Sequence, residues 1–333
     1  MMNSNFSPKL INNPLGDPGM MIEFLCERRC LQFDLGDLSA ISNSNLLKIS
    51  HVFVSHTHID HFIGFDHLLR MVFGHGKTVH FFGPENFIAN VEGKLAGFTW
   101  NLVDRYKESI SMEVTEVHSD RLIKARFNAI DRFKKSNESE EPFLNGILVD
   151  EERFTVHTAI LEHRVPCLGF AVKEKSHLNI RKDRLKEMRY PIGPWLTNLK
   201  KCIAEGKPDD YKFKIPVGEN KSEEKTLGHL KKELVLVSPG QKISYVVDTV
   251  YNETNKVRII DLVRDSDIFY CESPFLAEEE ARGQERFHLT ARQAGMLARE
   301  AKVKQLRVFH FSGRHAFRTE QLVQEAEKAF REI

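Results

Sequence analysis

Several features that would argue against a water-soluble enzyme are absent from the sequence. It has no apolar run long enough to cross a bilayer as a helix. It also lacks an excess charge of either sign, since 48 Lys and Arg residues face 47 Asp and Glu residues, so no global basic field indicates a nucleic-acid partner. The five cysteines are odd in number and form no Cys-x-x-Cys pair, which disfavours a disulfide framework. The N-terminus has no basic-then-apolar signal region, so we expect a cytoplasmic protein without membrane association.

Length and composition predict one large globular unit. The 333 residues are 41% hydrophobic, which is enough for a sizeable core, and we find no internal repeat. We therefore expect a single domain over residues 1–333, with an insertion at approximately 176–232. That insertion is rich in Lys, Glu, Pro and Gly with scattered apolar residues, which favours a projecting arm over core. The polar stretch 134–142 is interpreted as a loop.

A histidine-rich motif gives the strongest indication of chemistry. Residues 56–61 read His-Thr-His-Ile-Asp-His and follow an apolar run that we expect to be a strand. Imidazole nitrogens and carboxylate oxygens are ligands that suit Zn²⁺ and related divalent ions. The spacing allows His56 and His58 to bind one ion while Asp60 and His61 bind a second beside it. A histidine-rich turn left in solvent is the alternative, and possible ligands further along the chain argue against it.

Apolar, strand-like segments repeatedly stop at an ionisable residue. The residues at these stops are His56, His163, Asp248, Glu272 and His310. Strand ends gathered along one edge of a layered α/β sheet can hold catalytic groups on a rigid scaffold. Taken alone, His163 could be a buried histidine with a satisfied hydrogen bond, and Asp248 could be a turn residue or helix N-cap. The repetition of the pattern predicts that these side chains meet.

The order His-x-His-x-Asp-His, then His, Asp and His, resembles the metallo-β-lactamase superfamily. That resemblance implies a four-layered αβ/βα sandwich around two metal ions. Longer segments are similar to ribonuclease Z, the endonuclease that trims the 3′ side of precursor tRNA. These segments are Phe33–Asp37 (FDLGD), 162–170 (EHRVPCLGF), 186–194 (KEMRYPIGP), 271–275 (CESPF), 288–295 (HLTARQAG) and 310–315 (HFSGRH).

The resemblance implies a role for each matching residue. His56, His58 and His163 would bind the first metal, Asp60, His61 and His310 the second, and Asp248 would bridge them. The nitrogen-rich set favours two Zn²⁺ per chain over redox iron, with Mn²⁺ or Fe²⁺ as alternatives. Two such ions would activate a hydroxide that attacks a phosphodiester in line. Asp60 would also orient that hydroxide, and Asp34 would order the metal loop from behind the ligands.

Further roles concern the leaving group and the substrate. His288 would act as general acid on the ribose 3′-oxygen, and Glu272 would orient it; a solvent-exposed neighbour of a helix N-cap is the alternative for His288. Arg314 would bind phosphate, although a structural ion pair is an equal alternative. Gly193 and Pro194 would belong to an arm that grips tRNA, and arm-bearing relatives imply a homodimer.

The sequence allows three hypotheses about the function and its substrate. A tRNA 3′-processing endonuclease is favoured by the arm and by the pairing of His288 with Glu272. Residues 12–20 lack the basic loop expected of ribonuclease Z, which favours a related hydrolase of small phosphodiesters or other esters. A non-catalytic RNA-binding protein with the same fold is the third hypothesis. Intact metal ligands argue against it, because a buried ligand cluster is costly without its ion.

Overall fold

The computed structural model describes residues 5–106, 108–218 and 221–332. Within these residues the strands are β1 (Phe6–Leu10), β2 (Met20–Phe24), β3 (Cys30–Phe33), β4 (Ile49–Phe53), β5 (Thr78–Pro84), β6 (Ser111–Val117), β7 (Arg121–Asn128), β8 (Lys135–Pro142), β9 (Ile147–Asp150), β10 (Phe154–Glu162), β11 (Pro166–Glu174), β12 (His177–Ile180), β13 (Lys212–Gly218), β14 (Lys221–Thr226), β15 (Val235–Ser238), β16 (Lys242–Val246), β17 (Ile268–Glu272) and β18 (Leu306–Phe309). The α-helices are α1 (Asn43–Leu46), α2 (Ile59–Phe62), α3 (Phe65–Val72), α4 (Phe87–Ala96), α5 (Lys182–Glu187), α6 (Trp195–Ala204), α7 (Leu227–Leu234), α8 (Glu253–Val263), α9 (Glu280–Arg286), α10 (Ala291–Glu300) and α11 (Thr319–Arg331). Of the helices in these ranges, none has the length and apolar character needed to cross a membrane.

The chain divides into two compact units, of which the smaller contains Glu174–Gly240. This unit consists of α5, α6 and α7 with two antiparallel strand pairs, β12 with β15 and β13 with β14. The apolar residues that look scattered in the sequence meet here in a core of their own. Its buried members include Leu185, Trp195, Leu199, Phe213, Leu227 and Leu230.

The larger unit contains two sheets. The first has the order β1-β2-β3-β4-β5-β6-β7-β8, and its central strands β3 to β6 run parallel to one another. The second has the order β18-β17-β16-β11-β10-β9, and β16, β17 and β18 run parallel. Parallel neighbours end at the same edge of a sheet, so the residues that follow them are brought together.

Alternating side chains on the strands separate the core of the larger unit into layers. Phe53 of β4 faces a cluster shared by both sheets, which also contains Phe170 and Tyr245. Val52 and Val54 point to the opposite face, where they pack with residues of α3 and α4 such as Leu68. On the outer face of the second sheet, β16 and β17 pack with α8 and α10. Helix, sheet, sheet and helix therefore form the four layers that the resemblance to the metallo-β-lactamase superfamily implies.

The predicted loop at 134–142 is wrong, because β8 (Lys135–Pro142) pairs with β7 at the edge of the first sheet. Its residues KSNESEEP are almost all exposed, and Lys124 of β7 forms an ion pair with Glu141 at 2.6 Å. An edge strand with charged side chains on both faces carries no alternating apolar signal, and polar edges also discourage pairing with other chains.

Candidate metal centre

The ends of four strands and one loop supply the candidate ligands. β4 leads into His56, β10 ends one residue before His163, and β16 and β18 end just before Asp248 and His310. Glu272 is the last residue of β17, and in the sheet register it lies beside Phe309. These positions follow from strand direction alone, since the carboxyl ends of β16, β17 and β18 share one sheet edge.

The backbone departs from ordinary geometry at three residues that directly follow strands or lie close after them. Asp34, Asp248 and His310 have φ values of 53°, 48° and 58°. The left-handed region is costly for residues other than glycine, by about 1–3 kcal/mol each, and such strain persists where the surroundings fix it. In each of these three residues, the left-handed conformation occurs together with a side chain that belongs to a ligand group or contacts one.

The first candidate ligand group contains His56, His58, His163 and Asp248, whose ligand atoms all lie within 4.8 Å of one another. Asp248 Oδ2 is 3.3 Å from His56 Nε2 and 3.6 Å from His163 Nε2. The other ring nitrogen of His163, Nδ1, lies 2.9 Å from the carbonyl oxygen of Phe287, to which it can donate. That bond leaves the lone pair on Nε2, the nitrogen that faces the cluster.

The second group contains Asp60, His61 and His310. Asp60 Oδ2 is 3.4 Å from His61 Nε2 and 3.6 Å from His310 Nε2. Asp248 Oδ2 lies 3.4 Å from His61 Nε2, so this one carboxylate oxygen is within 3.6 Å of nitrogens in both groups. Asp248 is therefore the carboxylate that lies between the two groups.

A third group joins Asp248 and His310 to Glu272 and His288. His288 Nδ1 is 2.9 Å from Glu272 Oε2, while Glu272 Oε1 accepts hydrogen bonds from the backbone N–H groups of Thr249 and Leu289. The carboxylate of Glu272 is thus held in place on one side and oriented towards His288 on the other. His288 keeps one-fifth of its side chain exposed, so its second nitrogen can reach a ligand from solvent.

Asp34 organises the loop behind the second group. Its Oδ2 lies 3.0 Å from His61 Nδ1 and accepts hydrogen bonds from the hydroxyls of Ser55 and Tyr245 at 2.9 and 2.8 Å. Oδ1 accepts from the backbone N–H of Ser55 at 2.6 Å. These contacts fix the ring of His61 with Nε2 towards the cluster, as carboxylates behind metal-binding histidines do.

The segment after Asp34 holds the same loop through its backbone. Leu35 N–H donates to the carbonyl of His61, and Gly64 N–H donates to the carbonyl of Leu35, both at 2.8 Å. A Cβ atom on Gly64 would lie 2.2 Å from the carbonyl oxygen of Gly36, so only glycine allows this approach.

The electrostatics of the cluster are those of a cation site. Burial lowers the pKa of His163 to about 4, so its imidazole is neutral at physiological pH. Burial opposes the charged form of His61, but the carboxylates of Asp248 and Asp34 outweigh it and raise the pKa of His61 well above its ordinary value. Burial likewise disfavours ionised Asp248, yet His310 and His61 hold its pKa well below the usual range. The carboxylates thus present negative charge that divalent ions would balance.

Two buried nitrogens support the same interpretation. His56 Nε2 and His61 Nε2 are fully enclosed and make no hydrogen bond within the described part of the chain. A buried polar atom without a partner is costly, and here both nitrogens point at Asp248 Oδ2. The residues present therefore fit bound divalent metal.

The predicted substrate-binding residues lie outside the three groups. Arg314 is half exposed, and its guanidinium is 3.6 Å from Glu279, an ion pair that the sequence left as an alternative. Gly193 and Pro194 lie in the smaller unit, just before α6.

Comparison with solved structures shows the fold. The metallo-β-lactamase fold protein YhfI from Bacillus subtilis aligns with a TM-score of 0.55 and 16% identity, covering 97% of this chain and 92% of that one. The short form of human tRNase Z aligns with a TM-score of 0.54 and 16% identity, covering 93% of each chain. No protein-family model matches the sequence.

Comparison with curated proteins finds that ribonuclease Z sequences are similar to this chain. Ribonuclease Z of Deinococcus radiodurans is 24% identical over 266 residues, covering 80% of this chain and 76% of the relative. Ribonuclease Z of Lactobacillus acidophilus is 28% identical over 310 residues, covering 90% and 82%. The chain is a metallo-β-lactamase-fold relative of ribonuclease Z. This fold implies binding of divalent metal, and the ligand groups described above fit it.

Sequence reasoning missed several residues that support the site in this relative of ribonuclease Z. Ser55 and Tyr245 both hydrogen-bond Asp34, and the carbonyl of Phe287 orients His163. Ser55 directly precedes His56 and could have been suspected. Tyr245 lies inside an apolar strand, and a backbone carbonyl leaves no trace in composition, so neither had a local signal.

Proposed function

We propose that this protein is a metal-dependent endoribonuclease that removes the 3′ trailer of precursor tRNA. The observation that carries the proposal is the geometry around Asp248, where two candidate ligand groups meet beside the paired His288 and Glu272. A hydrolase of phosphodiesters needs activated water and a proton for the leaving oxygen, and this arrangement can supply both. The curated relatives named ribonuclease Z support the choice of substrate.

We propose Zn²⁺ as the metal, because histidine supplies most ligands in both groups. His56, His58 and His163 would hold one ion, Asp60, His61 and His310 the other, and Asp248 both. When bound, such ions would lower the pKa of bound water to near neutrality and offset charge on the reacting phosphate. Mn²⁺ or Fe²⁺ would use the same residues.

The chain's own residues carry the remaining steps. Asp60 Oδ2 lies between His61 and His310 and is partly exposed, so it can accept a hydrogen bond from the attacking water and orient it. Burial opposes the charged form of His288, but Glu272 outweighs it and raises the pKa of His288, so the imidazole remains protonated to a higher pH. His288 would give that proton to the departing 3′-oxygen of ribose. Glu272 acts as a positioning residue through its bond to His288.

Two further parts of the proposal concern partners. The smaller unit Glu174–Gly240, with its own core, would act as an exosite for the tRNA body through the region of Gly193 and Pro194. A homodimer in the cytoplasm is the expected assembly, which sedimentation or light scattering of the purified protein would test.

The test is incubation of the zinc-loaded protein with a 3′-extended precursor tRNA, with the cut mapped at nucleotide resolution. A single cut just past the discriminator nucleotide, absent in Asp60→Ala, is the expected result. The same preparations are assayed with bis(p-nitrophenyl) phosphate, which needs no RNA recognition. If the RNA is not cut while the nitrophenyl ester is hydrolysed, the assignment of tRNA as substrate is wrong, and the assignment of the metal centre is unaffected.

A small phosphodiester is the second candidate substrate, and a particular observation favours it. Residues 12–20 contain Asp17 and no Lys or Arg, so the loop beside the centre offers no cation to an RNA phosphate. The same experiment decides between the two, because the nitrophenyl ester would then be the better substrate by far.

A further inference from the structure

A cavity of about 490 Å³ opens on the outer face of the second sheet, where β10, β11 and β16 meet α8. Side chains from all four elements line it, among them His157, Lys173, Lys242 and Arg258. β16 begins at Lys242 and leads to Asp248, so at about 3.3 Å per residue the cavity lies roughly 20 Å along the chain from the metal centre. It shares no residue with the three candidate metal-ligand groups.

Two lysines lie side by side on neighbouring strands in this cavity. Lys173 of β11 and Lys242 of β16 are direct cross-strand partners, and they point away from the inter-sheet core that contains Val172 and Ile243. Like charges directly opposite each other destabilise a sheet. The same repulsion contributes to the low pKa of Lys242, which burial and then the charge of Lys173 bring to about 8. An anion between the two ammonium groups would remove this cost.

A third cation comes from the helix. Arg258 Nη1 donates to the carbonyl of Ile160 at 2.9 Å, which holds the guanidinium beside β10. Lys242 Nζ likewise donates to a backbone carbonyl, that of Arg264, at 2.8 Å. Within the described residues, neither of these side chains nor that of Lys173 forms an ion pair with a carboxylate. Their positive charges therefore remain available to a ligand.

The charges that line the cavity match those of a dianion. Among the described lining residues Asp261 is the only carboxylate, and it already pairs with Arg264 at 2.9 Å. Burial lowers the pKa of His157, and the charges of Lys242 and Lys173 lower it further, so its imidazole is neutral at physiological pH. Three cations and one carboxylate leave two positive charges uncompensated. A phosphate monoester carries nearly two negative charges at pH 7, whereas a diester in an RNA backbone carries one.

We propose that this cavity binds a dianionic phosphate group, either inorganic phosphate or the phosphate of a small monoester. Lys173 and Lys242 contact it as point charges, and the guanidinium of Arg258 donates hydrogen bonds to its oxygens. The phosphate thereby holds together the end of β11 and the start of β16, where the chain leaves the larger unit and returns to it. This binding site is separate from the metal centre and does not depend on the proposed reaction.

The test is isothermal titration calorimetry of the zinc-loaded protein with inorganic phosphate, adenosine 5′-monophosphate and dimethyl phosphate. The wild-type protein should bind at least one of the two dianions, and dimethyl phosphate at least tenfold more weakly, since a diester carries one negative charge less. Tighter binding of adenosine 5′-monophosphate than of inorganic phosphate would identify a monoester as the ligand, and the reverse would identify the free ion. Dimethyl phosphate binding as tightly as the dianions would overturn the assignment.

Charge-neutralising variants locate the binding site. Lys173→Gln and Arg258→Gln should each weaken phosphate binding about tenfold, the size expected for one lost hydrogen bond between charged groups. Lys9→Gln on β1 and Arg307→Gln on β18 are the matched controls, because both residues are exposed, lie outside the cavity and change the net charge equally. Unchanged affinity in both cavity variants would contradict the proposed site.

Bound metal can also hold phosphate, so Asp248→Ala separates the two positions. Phosphate binding in the cavity should survive this substitution. Loss of all phosphate binding in Asp248→Ala, with none lost in Lys173→Gln, would place the anion at the metal centre and overturn the inference.

Thermal unfolding gives a second readout that does not depend on activity. Phosphate should raise the unfolding midpoint of the wild-type protein and of Asp248→Ala, but much less that of Lys173→Gln. Without phosphate, Lys173→Gln should unfold at the same or a higher temperature than wild type, because the substitution removes the repulsion from Lys242. A lower midpoint without phosphate would show that the two lysines do not repel each other and would contradict the need for an anion.

Discussion

At the scale of single residues, Asp248 is a buried carboxylate with histidine nitrogens beside both of its oxygens. Its side chain is almost fully buried, and its two oxygens lie within 3.7 Å of nitrogens from His56, His61, His163, His288 and His310. A desolvated carboxylate is stable only where nearby positive charge compensates it. In the metal-free protein that compensation has to come from protonated histidines, whereas bound ions would supply it directly.

Substitution of Asp248 should therefore remove metal from both groups. Asp248→Ala is expected to retain little zinc after dialysis, while His58→Ala, which affects only the first group, should retain roughly half as much as wild type. Metal content measured by atomic spectrometry checks both. His67→Ala is the matched control, because His67 lies on α3 outside the ligand groups. A full complement of zinc in Asp248→Ala would remove it from the bridging position.

His288 should matter most where the leaving group needs a proton. His288→Ala is expected to slow RNA cleavage by about 10²–10⁴-fold, the usual contribution of a general acid. The same variant should lose little with bis(p-nitrophenyl) phosphate, because nitrophenolate departs without protonation. Single-turnover rates on both substrates give the comparison. Equal losses on the two would show that His288 acts in binding or folding instead of proton transfer.

Asp34 should act on the metal through His61. Asp34→Asn removes the negative charge behind the imidazole and is expected to weaken metal binding by about 10–100-fold, as other outer-shell changes do. Tyr245→Phe removes one hydrogen bond to Asp34 and should have a smaller effect in the same direction. Competition with a chromophoric chelator measures both. Tyr270→Phe is the control, since Tyr270 is also buried but, within the described residues, makes no hydrogen bond to Asp34. An equal loss there would contradict the role.

At the scale of elements, strand ends were the predictable part of this protein. A strand of apolar residues that stops at His, Asp or Glu can be found in one sequence, and β10, β16, β17 and β18 all end as expected. The helix after His288 was also predictable, because Thr290 and Gln293 form a capping box at its start. In both cases the signal lies within a few neighbouring residues.

Elements whose stability comes from distant partners were not predictable. β8 is nearly all polar, and it is a strand because β7 offers it backbone hydrogen bonds. The core of the smaller unit joins Leu185 to Leu234 across about fifty residues. The contact between His163 and the carbonyl of Phe287 spans 124 positions. Such contacts depend on the folded topology, which local patterns do not encode.

The smaller unit should be removable without loss of the metal centre. In β11 and β16, Lys173 and Lys242 are direct cross-strand partners, so an Asn-Gly turn between them can replace residues 174–241. The shortened protein is expected to bind metal and hydrolyse bis(p-nitrophenyl) phosphate like wild type while losing most activity on precursor tRNA. Both rates and the metal content measure this. Undiminished tRNA cleavage would exclude the smaller unit as an exosite.

At the scale of the whole molecule, the metal centre links the layers of the larger unit. Its candidate ligands come from the loop after β4 in the first sheet and from the ends of β10, β16 and β18 in the second. Ions held between them would connect segments more than 200 residues apart in sequence. Because the ligands converge only in the folded chain, the free energy of metal binding should appear as free energy of unfolding.

Removal of metal should therefore destabilise the larger unit as a whole. At a free zinc concentration a hundred times the dissociation constant, each site adds about 2.7 kcal/mol to the free energy of unfolding. Thermal unfolding followed by circular dichroism should show a lower midpoint after chelation and recovery when zinc is returned. Asp248→Ala is the internal control, because the unfolding midpoint of a protein that does not bind the ions should not change when the chelator is added. A midpoint equally sensitive to chelation in both proteins would place the stabilising metal away from Asp248.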